Sequence, residues 1–309
     1  MIFFTRHVGP GIVRLRIARV IAAGSAALML LAYGSAQADQ AGYAKSLDVR
    51  ADVGLMYDDN VTRSNTSADK LSDRSYSVNL SVPYTQLLTE HTRLRATALV
   101  GGERFVTYKG LSRAIGGVTG EYQYRSDAEF STPTFALFAR VFGEQYESKL
   151  RDGWHYSAGA SMLQPVTDRI QLFGALSHNQ RRADSEVFDT VDDSARLNLD
   201  YIVTSSGTLY LSGDYHRGDV VSTGHPTLGL IDIAKVFAAD DVFTGLDSYR
   251  FDGSTLISTL GYNIGFGSSH SLDISWRRIT SKSSLQPGYA APSASYVANQ
   301  YFLVYLVNF

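Results

Sequence analysis

The most constraining feature of this chain is a strict two-residue alternation in the segment from Val297 to Phe309. Every second position of that segment is apolar or aromatic: Tyr301, Leu303, Tyr305, Val307 and Phe309. Successive side chains of a β-strand point to opposite faces, so these residues share one face. The alternation predicts a strand with one lipid-compatible face, which is typical of a transmembrane barrel.

The same alternation recurs along the chain from residue 46 onward, interrupted by turn residues. It predicts about twelve strands, at residues 47–57, 74–88, 92–106, 114–125, 133–146, 154–164, 168–181, 192–204, 208–218, 248–264, 269–280 and 296–309. A tilted strand needs roughly 9 to 11 residues to cross a bilayer, and these segments suffice. We therefore predict an all-β fold, a transmembrane antiparallel up-and-down β-barrel of about twelve strands.

The predicted connections fall into two length classes that alternate along the chain. Tight connections lie at 89–91, 165–167 and 205–207, whereas long ones lie at 59–73 and 220–246. Outer-membrane barrels have short periplasmic turns and longer extracellular loops, so both termini are expected at the short-turn side. A secreted β-sandwich is the alternative fold, since it also combines alternation with regular turns.

Residues 1–38 have the pattern of a secretory signal peptide. Arginines at positions 6, 14, 16 and 19 precede an apolar run from Val20 to Ala32, which is followed by Ala36, Gln37 and Ala38. Cleavage after Ala38 is expected, leaving residues 39–309 as one outer-membrane barrel domain. The alternative, an uncleaved membrane anchor, needs about 20 apolar residues, which is more than this run supplies.

Composition narrows the classes of function. The chain has no cysteine, which excludes disulfides and a lipid anchor on cysteine. The formal net charge is −2, whereas nucleic-acid-binding domains carry a clustered basic face, so no nucleic-acid partner is expected. The sequence has no glycine-rich phosphate loop, cysteine metal cluster or zinc-spaced histidine pair, so no cofactor and no metal site are expected.

The polar face of the predicted strands carries charges of both signs. The candidate lumen-lining residues are Asp48, Arg50, Asp52, Arg93, Arg95, Glu121, Arg125, Arg140, Arg196, Asp200, Asp214, His216, Asp273 and Arg277. Charges that pair across a narrow interior are structural, whereas charges that face water select the solutes that pass. Arg93 and Arg95 lie close to a predicted periplasmic turn, where they would favour anions.

The predicted connection 220–246 is unusually apolar for a surface loop and long enough to need an explanation. Two interpretations are open. The segment either folds into the barrel mouth as a constriction or lid, or forms a short helix or extra hairpin on the extracellular rim. The candidate constriction residues are Asp232, Phe237, Asp240, Asp241 and Phe243, of which the aspartates would repel anions.

The clearest short motif, Tyr57-Asp58-Asp59-Asn60-x-x-Arg63, ends the first predicted strand. Its oxygen donors would suit a hard cation such as Ca²⁺. Specific calcium loops alternate their ligands and include a glycine, and both features are missing here. Asx residues at a strand end commonly form turns, which is the interpretation that we favour.

Two segments resemble known families. The last strand, with Tyr305, Val307 and Phe309, resembles the C-terminal signal read by the barrel assembly machinery of bacterial outer membranes. The stretch from Tyr57 to Arg63 resembles the β-barrel porin families of proteobacterial outer membranes, including barrels associated with exopolysaccharide synthesis and export. The resemblance implies an outer-membrane location, contact with outer-membrane lipid and with that machinery, and passage of polar or saccharide material.

A third resemblance concerns catalysis. His155-x-Ser157 is similar to the motif of outer-membrane phospholipases, but that family continues with Asn and Gly where this chain has Ala158 and Gly159. The sequence predicts a non-enzymatic channel for passive passage of small polar solutes or saccharides. The alternatives are a closed barrel serving as a scaffold or accessory in exopolysaccharide export or surface-protein secretion, and an outer-membrane acyl hydrolase.

Overall fold

The computed structural model describes residues 46–47, 49–284 and 295–309. The predicted signal peptide and the candidate residue Asp48 lie outside the described residues. The described chain contains a single α-helix, α1 (Leu228–Ile233), and strands β1 (Ser46–Leu47), β2 (Arg50–Asp58), β3 (Asp73–Leu87), β4 (Thr92–Phe105), β5 (Arg113–Arg125), β6 (Thr134–Tyr146), β7 (Gly153–Pro165), β8 (Ile170–Ala183), β9 (Thr190–Thr204), β10 (Gly207–Gly224), β11 (Val236–Ala239), β12 (Asp247–Phe266), β13 (His270–Ser283) and β14 (Tyr296–Asn308).

Twelve of these strands form a closed antiparallel barrel, which confirms the predicted fold. Each barrel strand pairs with its neighbours in the chain, and β14 closes the barrel against β2. In that closing pair Tyr301 lies opposite Tyr57 and Val307 lies opposite Ala51. The alternation of the last strand therefore sets the register of the closing seam. Strand β1 pairs with β3, and β11 pairs only with β12.

The connections divide the barrel into two different ends. The short-turn end has the connections 88–91, 126–133, 166–169, 205–206 and 267–269. The long-loop end has the connections 59–72, 106–112, 147–152, 184–189, 225–246 and 284–295. No helix among the described residues is long and apolar enough to span a membrane.

One predicted boundary is wrong. The strand predicted to end at residue 218 continues to Gly224, so the connection predicted at 220–246 begins at residue 225. The sequence favoured an end at Gly218, but the strand passes through this glycine with φ of 153°, a backbone conformation that side-chain-bearing residues rarely adopt. The ladder continues because Val220 and Phe251, which lie opposite each other, are both buried.

The outer face of the barrel is apolar between two aromatic belts, the arrangement of a bilayer-spanning wall. Exposed apolar side chains such as Val78, Leu137, Leu176 and Leu211 form its middle band. The belt towards the long-loop end contains Tyr57, Tyr76, Trp154, Tyr215, Trp276 and Tyr301. The belt towards the short-turn end contains Tyr122, Tyr124, Phe135, Tyr201, Phe266 and Tyr305.

Candidate functional site: the barrel interior and its mouth

The barrel interior is polar because the inward positions alternate with the apolar outward ones. Each described candidate lumen residue lies on this inward face: Arg50, Asp52, Arg93, Arg95, Glu121, Arg125, Arg140, Arg196, Asp200, Asp214, His216, Asp273 and Arg277. The interior contains open space, since the inward side chains of Arg196, at mid-depth, and of His155, nearer the mouth, are still 48% and 42% exposed.

One wall of the interior holds a paired network across β9 and β10. Nε of Arg196 donates to Asp214 at 2.9 Å. The ring of His216 lies between two carboxylates, with Nδ1 2.7 Å from Asp192 and Nε2 3.2 Å from Asp214. Asn179 on β8 extends the network by donating to Asp192 at 2.9 Å. These charges neutralise one another, so we interpret this wall as structural.

Two inward arginines, Arg140 and Arg277, lie outside this network. Among the described residues, no carboxylate lies within ion-pair distance of Arg140 or Arg277. The Arg140 guanidinium lies 4.6 Å from the Phe138 ring centre, and that of Arg277 lies 4.7 Å from the Phe302 ring centre. The aromatic faces hold the guanidinium groups in place without cancelling their charge. Arg196 is an electrostatic neighbour of both, and so is the carboxylate of Asp214, so the positive charge at mid-depth is only partly offset.

The short-turn level of the interior carries charges of both signs with polar partners. Arg93 donates to Gln123, which in turn donates to Glu121 at 2.7 Å. Arg95 lies opposite Glu121 in the β4–β5 ladder. The remaining candidates at this level bond to neighbouring polar groups: Asp52 to Asn79, Asp200 to Asn198, Asp273 to Tyr210 and Arg125 to the carbonyl of Glu129. This level therefore has nearly balanced charge.

Another network of hydrogen bonds and ion pairs surrounds Glu144, below the mouth. Glu144 accepts from Arg113 at 2.5 Å and contacts Nε2 of His155 at 2.8 Å. Ser157 donates instead to Asn179 at 2.8 Å, so the serine and histidine of the phospholipase-like pair bond to different partners. No group of acidic or histidine side chains in the described part of the chain has a geometry that would hold a metal ion.

The Tyr57-to-Arg63 motif anchors the loop 59–72 inside the mouth. Asp58 is fully buried and accepts hydrogen bonds from Arg63 at 2.7 Å, from Gln300 at 2.7 Å and from the backbone N–H of Asn60 at 2.9 Å. The Asn60 amide donates to the Val297 carbonyl at 2.9 Å. Asp58 therefore forms a turn and an ion pair, as the favoured interpretation expects, and its oxygens are engaged by donors.

The same loop crosses part of the mouth to reach β10. The carbonyl of Thr62 accepts from the Thr223 N–H at 2.9 Å, and Asp69 accepts from the His225 N–H at 3.0 Å. Burial raises the pKa of Asp69, but hydrogen bonds from Thr66 and His225 outweigh burial and leave this pKa below its ordinary value. Below the loop, inward Val220, Ile279 and Tyr296 form a buried apolar cluster.

The connection 225–246 combines the two interpretations left open by the sequence. It contains the short helix α1 and strand β11, and it also folds into the mouth. Leu230, Ile231 and Ile233 pack on Tyr249 and Phe251, inward side chains of β12 that are only 0% and 1% exposed. The apolar residues that made this connection unusual thus pack on the inner wall of the barrel.

The far part of this connection reaches the opposite rim. Phe243 is buried, with its ring centre 5.0 Å from that of Tyr108, and Ser148 donates to Asp241 at 2.6 Å. The buried Arg151 guanidinium pairs with Asp240 at 2.5 Å and with Asp241 at 3.1 Å. We call residues 225–246 the lid.

The Arg151 contacts correct the expected role of the lid aspartates. Asp240 and Asp241 do not present free negative charge to the mouth, because Arg151 pairs with both. Burial raises the pKa of Asp240, but the charge and hydrogen bonds of Arg151 outweigh burial and lower this pKa below its ordinary value of 3.8. Of the other candidates, Asp232 is exposed on α1, and Phe237 stacks on Tyr249 with ring centres 6.1 Å apart.

The sequence gives weak signals for several residues that shape this site. Arg113 and Glu103, which pair at 3.2 Å, occupy inward positions of their strands, so alternation would identify them. Arg151 is different, because it lies in the connection 147–152 and its partners are distant in the chain. No local pattern indicates this contact.

Comparison with known proteins supports the fold. No family model and no curated protein sequence matches the chain. An outer membrane channel from Pseudomonas putida F1 overlays with a TM-score of 0.54 at 12% identity, covering 86% of this chain and 97% of that one. The KdgM porin overlays less closely, with a TM-score of 0.40 at 9% identity, covering 84% of this chain and 99% of that one. An anion-selective porin from Comamonas acidovorans overlays with a TM-score of 0.37 at 12% identity, covering 86% of this chain and 100% of that one. The chain thus shares its barrel architecture with an outer-membrane channel.

Proposed function

We propose that the protein is an outer-membrane channel for passive passage of small polar solutes, with a preference for anionic ones. The observation that carries this proposal is the pair Arg140 and Arg277, which face the interior with no carboxylate of the described residues within ion-pair distance. An uncompensated guanidinium about 5 Å from an ion in water attracts it by roughly 0.8 kcal/mol, or about fourfold in local concentration. The polar interior and apolar outer face support placement in the outer membrane.

The lid and the loop 59–72 control access in this proposal. They cover the long-loop end, where the loop 59–72 bonds to Thr223 of β10 and to His225 of the lid, whereas all but one of the short-turn connections have at most four residues. A solute entering from the long-loop end must pass between these two segments. Passage therefore depends on the contacts that hold the lid down.

The experiment is single-channel recording of the purified barrel in a planar bilayer with a KCl gradient. Discrete openings with a reversal potential displaced towards the chloride equilibrium value are expected. The double variant R140Q/R277Q should shift the reversal potential towards potassium. The matched control K70Q/K149Q removes the same charge from exposed loop positions and should leave selectivity unchanged.

A second candidate function has its own observation. The covered mouth favours a closed barrel that serves as a scaffold or accessory in exopolysaccharide export or surface-protein secretion. Persistent electrical silence of correctly folded protein, including a variant that lacks the lid contact of Arg151, would favour this scaffold and contradict the channel. Openings with the same selectivity in wild type and R140Q/R277Q would keep the channel but remove the anion preference.

A further inference from the structure

The lipid-facing wall of the barrel is electrically asymmetric. In the half nearer the short turns, the outward positions of the described strands carry no Asp, Glu, Lys or Arg. In the half nearer the long loops, the outward positions carry exposed basic side chains, four of which lie within five successive strands: Arg74 on β3, Arg104 on β4, and Arg278 and Lys282 on β13. We call these four residues the basic surface.

The strand register places Arg74, Arg104 and Arg278 level with the aromatic belt at the long-loop end or just beyond it, and Lys282 lies six residues past Trp276 on β13. Arg74 lies opposite Tyr57 in the β2–β3 ladder, and Arg104 lies opposite Tyr76 in the β3–β4 ladder. Arg278 lies opposite Asn299, the residue that accepts a hydrogen bond from the outward Trp276. Tyrosine and tryptophan belts mark the headgroup level of a bilayer, so Arg74, Arg104 and Arg278 lie at or just above that level.

The basic surface consists of two pairs of cations, on β3 and β4 and on β13, with β14 and β2 between them. Strands β13, β14, β2, β3 and β4 are successive neighbours, which spreads the four cations over roughly 19 Å at about 4.8 Å per strand. Arg74 and Arg104 are diagonal neighbours, because Arg104 lies opposite Tyr76, two residues from Arg74. Their Cα atoms are therefore roughly 7 to 8 Å apart, close enough for both guanidinium groups to contact one phosphate.

Among the described residues, these four cations have no partner for their side chains, whereas several other outward charges are paired. No ion pair or hydrogen bond within that part of the chain involves the side chain of Arg74, Arg104, Arg278 or Lys282. By contrast, Lys235 pairs with Asp219 and Asp252, and His178 pairs with Asp193. Asp59, the carboxylate nearest in register to Arg278, accepts two hydrogen bonds from Asn299. A run of unpaired like charges at headgroup depth calls for an anionic partner.

We propose that the basic surface binds the phosphate groups of a phosphorylated lipid in the leaflet at the long-loop end. Guanidinium groups bind phosphate oxygens through paired hydrogen bonds, and each basic residue near an anionic lipid surface contributes about 1 kcal/mol. Charge complementarity and headgroup depth identify a lipid rather than a soluble anion. The inference rests on the outer-membrane location in the proposed function, but it does not depend on conduction through the lumen.

The test is native mass spectrometry of the detergent-purified barrel titrated with diphosphoryl lipid A as the probe. Wild type should retain the diphosphoryl form preferentially over lipid A from which the phosphates have been removed. The variant R74Q/R104Q/R278Q/K282Q should weaken retention at least about tenfold. The control K70Q/K109Q/K149Q/R169Q removes four exposed charges from loops and turns and should bind as wild type does.

Three results would overturn the proposal: equal retention by the basic-surface variant, equal retention of the dephosphorylated lipid, and displacement of bound lipid by millimolar inorganic phosphate. The last result would identify a free-phosphate site. If the quadruple variant does not fold, R74Q/R104Q and R278Q/K282Q are measured separately, and each should lose part of the affinity. This binding measurement does not require ion conduction through the barrel, so a barrel that is electrically silent in a bilayer still gives a decisive result.

Discussion

The two ends of the barrel are built on different physical principles. At the short-turn end the strands simply reverse, and the inward charges of Arg93, Glu121 and Asp273 bond to nearby polar side chains. At the long-loop end two segments fold over the mouth and create a small core, with Phe251 and Tyr249 fully buried. The barrel wall requires only alternation, whereas the covered mouth requires tertiary packing. The same substitution should therefore change the free energy of unfolding by different amounts at the two ends.

The largest expected difference comes from matched phenylalanine truncations. Phe251→Ala removes a side chain that is 1% exposed beneath α1 and should cost about 3 to 5 kcal/mol of unfolding free energy. Phe266→Ala, at the short-turn end of the same strand, removes an outward side chain that is half exposed and should cost about 1 kcal/mol. Urea unfolding of both variants in lipid vesicles measures the difference. Equal losses would show that the mouth is no better packed than the wall.

The next prediction concerns the ion pair that holds the lid. Arg151→Met removes the buried partner of Asp240 and should destabilise the closed lid by about 3 kcal/mol, because a buried carboxylate is left unpaired. The lid should then become sensitive to proteases, and channel conductance should rise. Lys149→Met changes an exposed neighbour and is the matched control. A lid that stays protease-resistant in the Arg151 variant would contradict the assigned role of this pair.

Acid should loosen the same contact to a smaller extent. The pKa of Asp240 is lower in the folded protein than its ordinary value of 3.8. The ionised carboxylate therefore stabilises the closed lid at pH values above 3.8, and this stabilisation is lost as the pH falls through the lower folded-state pKa. Lid opening should increase below about pH 4, and cleavage of the lid by an acid-active protease measures this increase. Asp240→Asn should remove this pH dependence, whereas Asp232→Asn, on exposed α1, should retain it. An unchanged profile in Asp240→Asn would assign the effect to another carboxylate.

The smallest effect is expected at the short-turn mouth. Arg93→Glu and Arg95→Glu change two charges that already have polar or acidic neighbours, Gln123 and Glu121. Each change should alter anion preference by less than the approximately fourfold effect expected for an unpaired lumen arginine. Reversal potentials compared with those of R140Q/R277Q measure the ranking. A larger shift from Arg93 or Arg95 would place the selectivity filter at the short-turn mouth.

The wall of the barrel is predictable because each inward or outward position is decided locally. Alternation placed Arg140, Arg196 and Arg277 on the polar face of their strands, and it placed Tyr57 and Tyr301 on the apolar one. It did not distinguish Arg196, which pairs with Asp214, from Arg140, which forms no ion pair with any described residue. That difference depends on cross-strand register and on Phe138, neither of which the local pattern contains.

The mouth was less predictable for a related reason. The apolar residues of the connection 225–246 indicated that this connection is buried. They did not indicate the surface on which it packs, which is formed by Tyr249 and Phe251 on β12. Asp240 and Asp241 were expected to repel anions, because they would lie near a constriction formed by this connection. Their partner Arg151 reaches them only because the lid crosses the mouth.

The strand period, the two classes of connection and the polarity of each face can be read from the sequence, because they follow from backbone geometry and from the contrast between lipid and water. The pairing of the inward charges, the way in which the lid and the loop 59–72 cover the mouth, and the position of Arg74 and Arg278 on one side of the wall became clear only in the folded barrel. Those features depend on barrel closure, which brings β14 and β2 together and joins residues that are far apart in the chain.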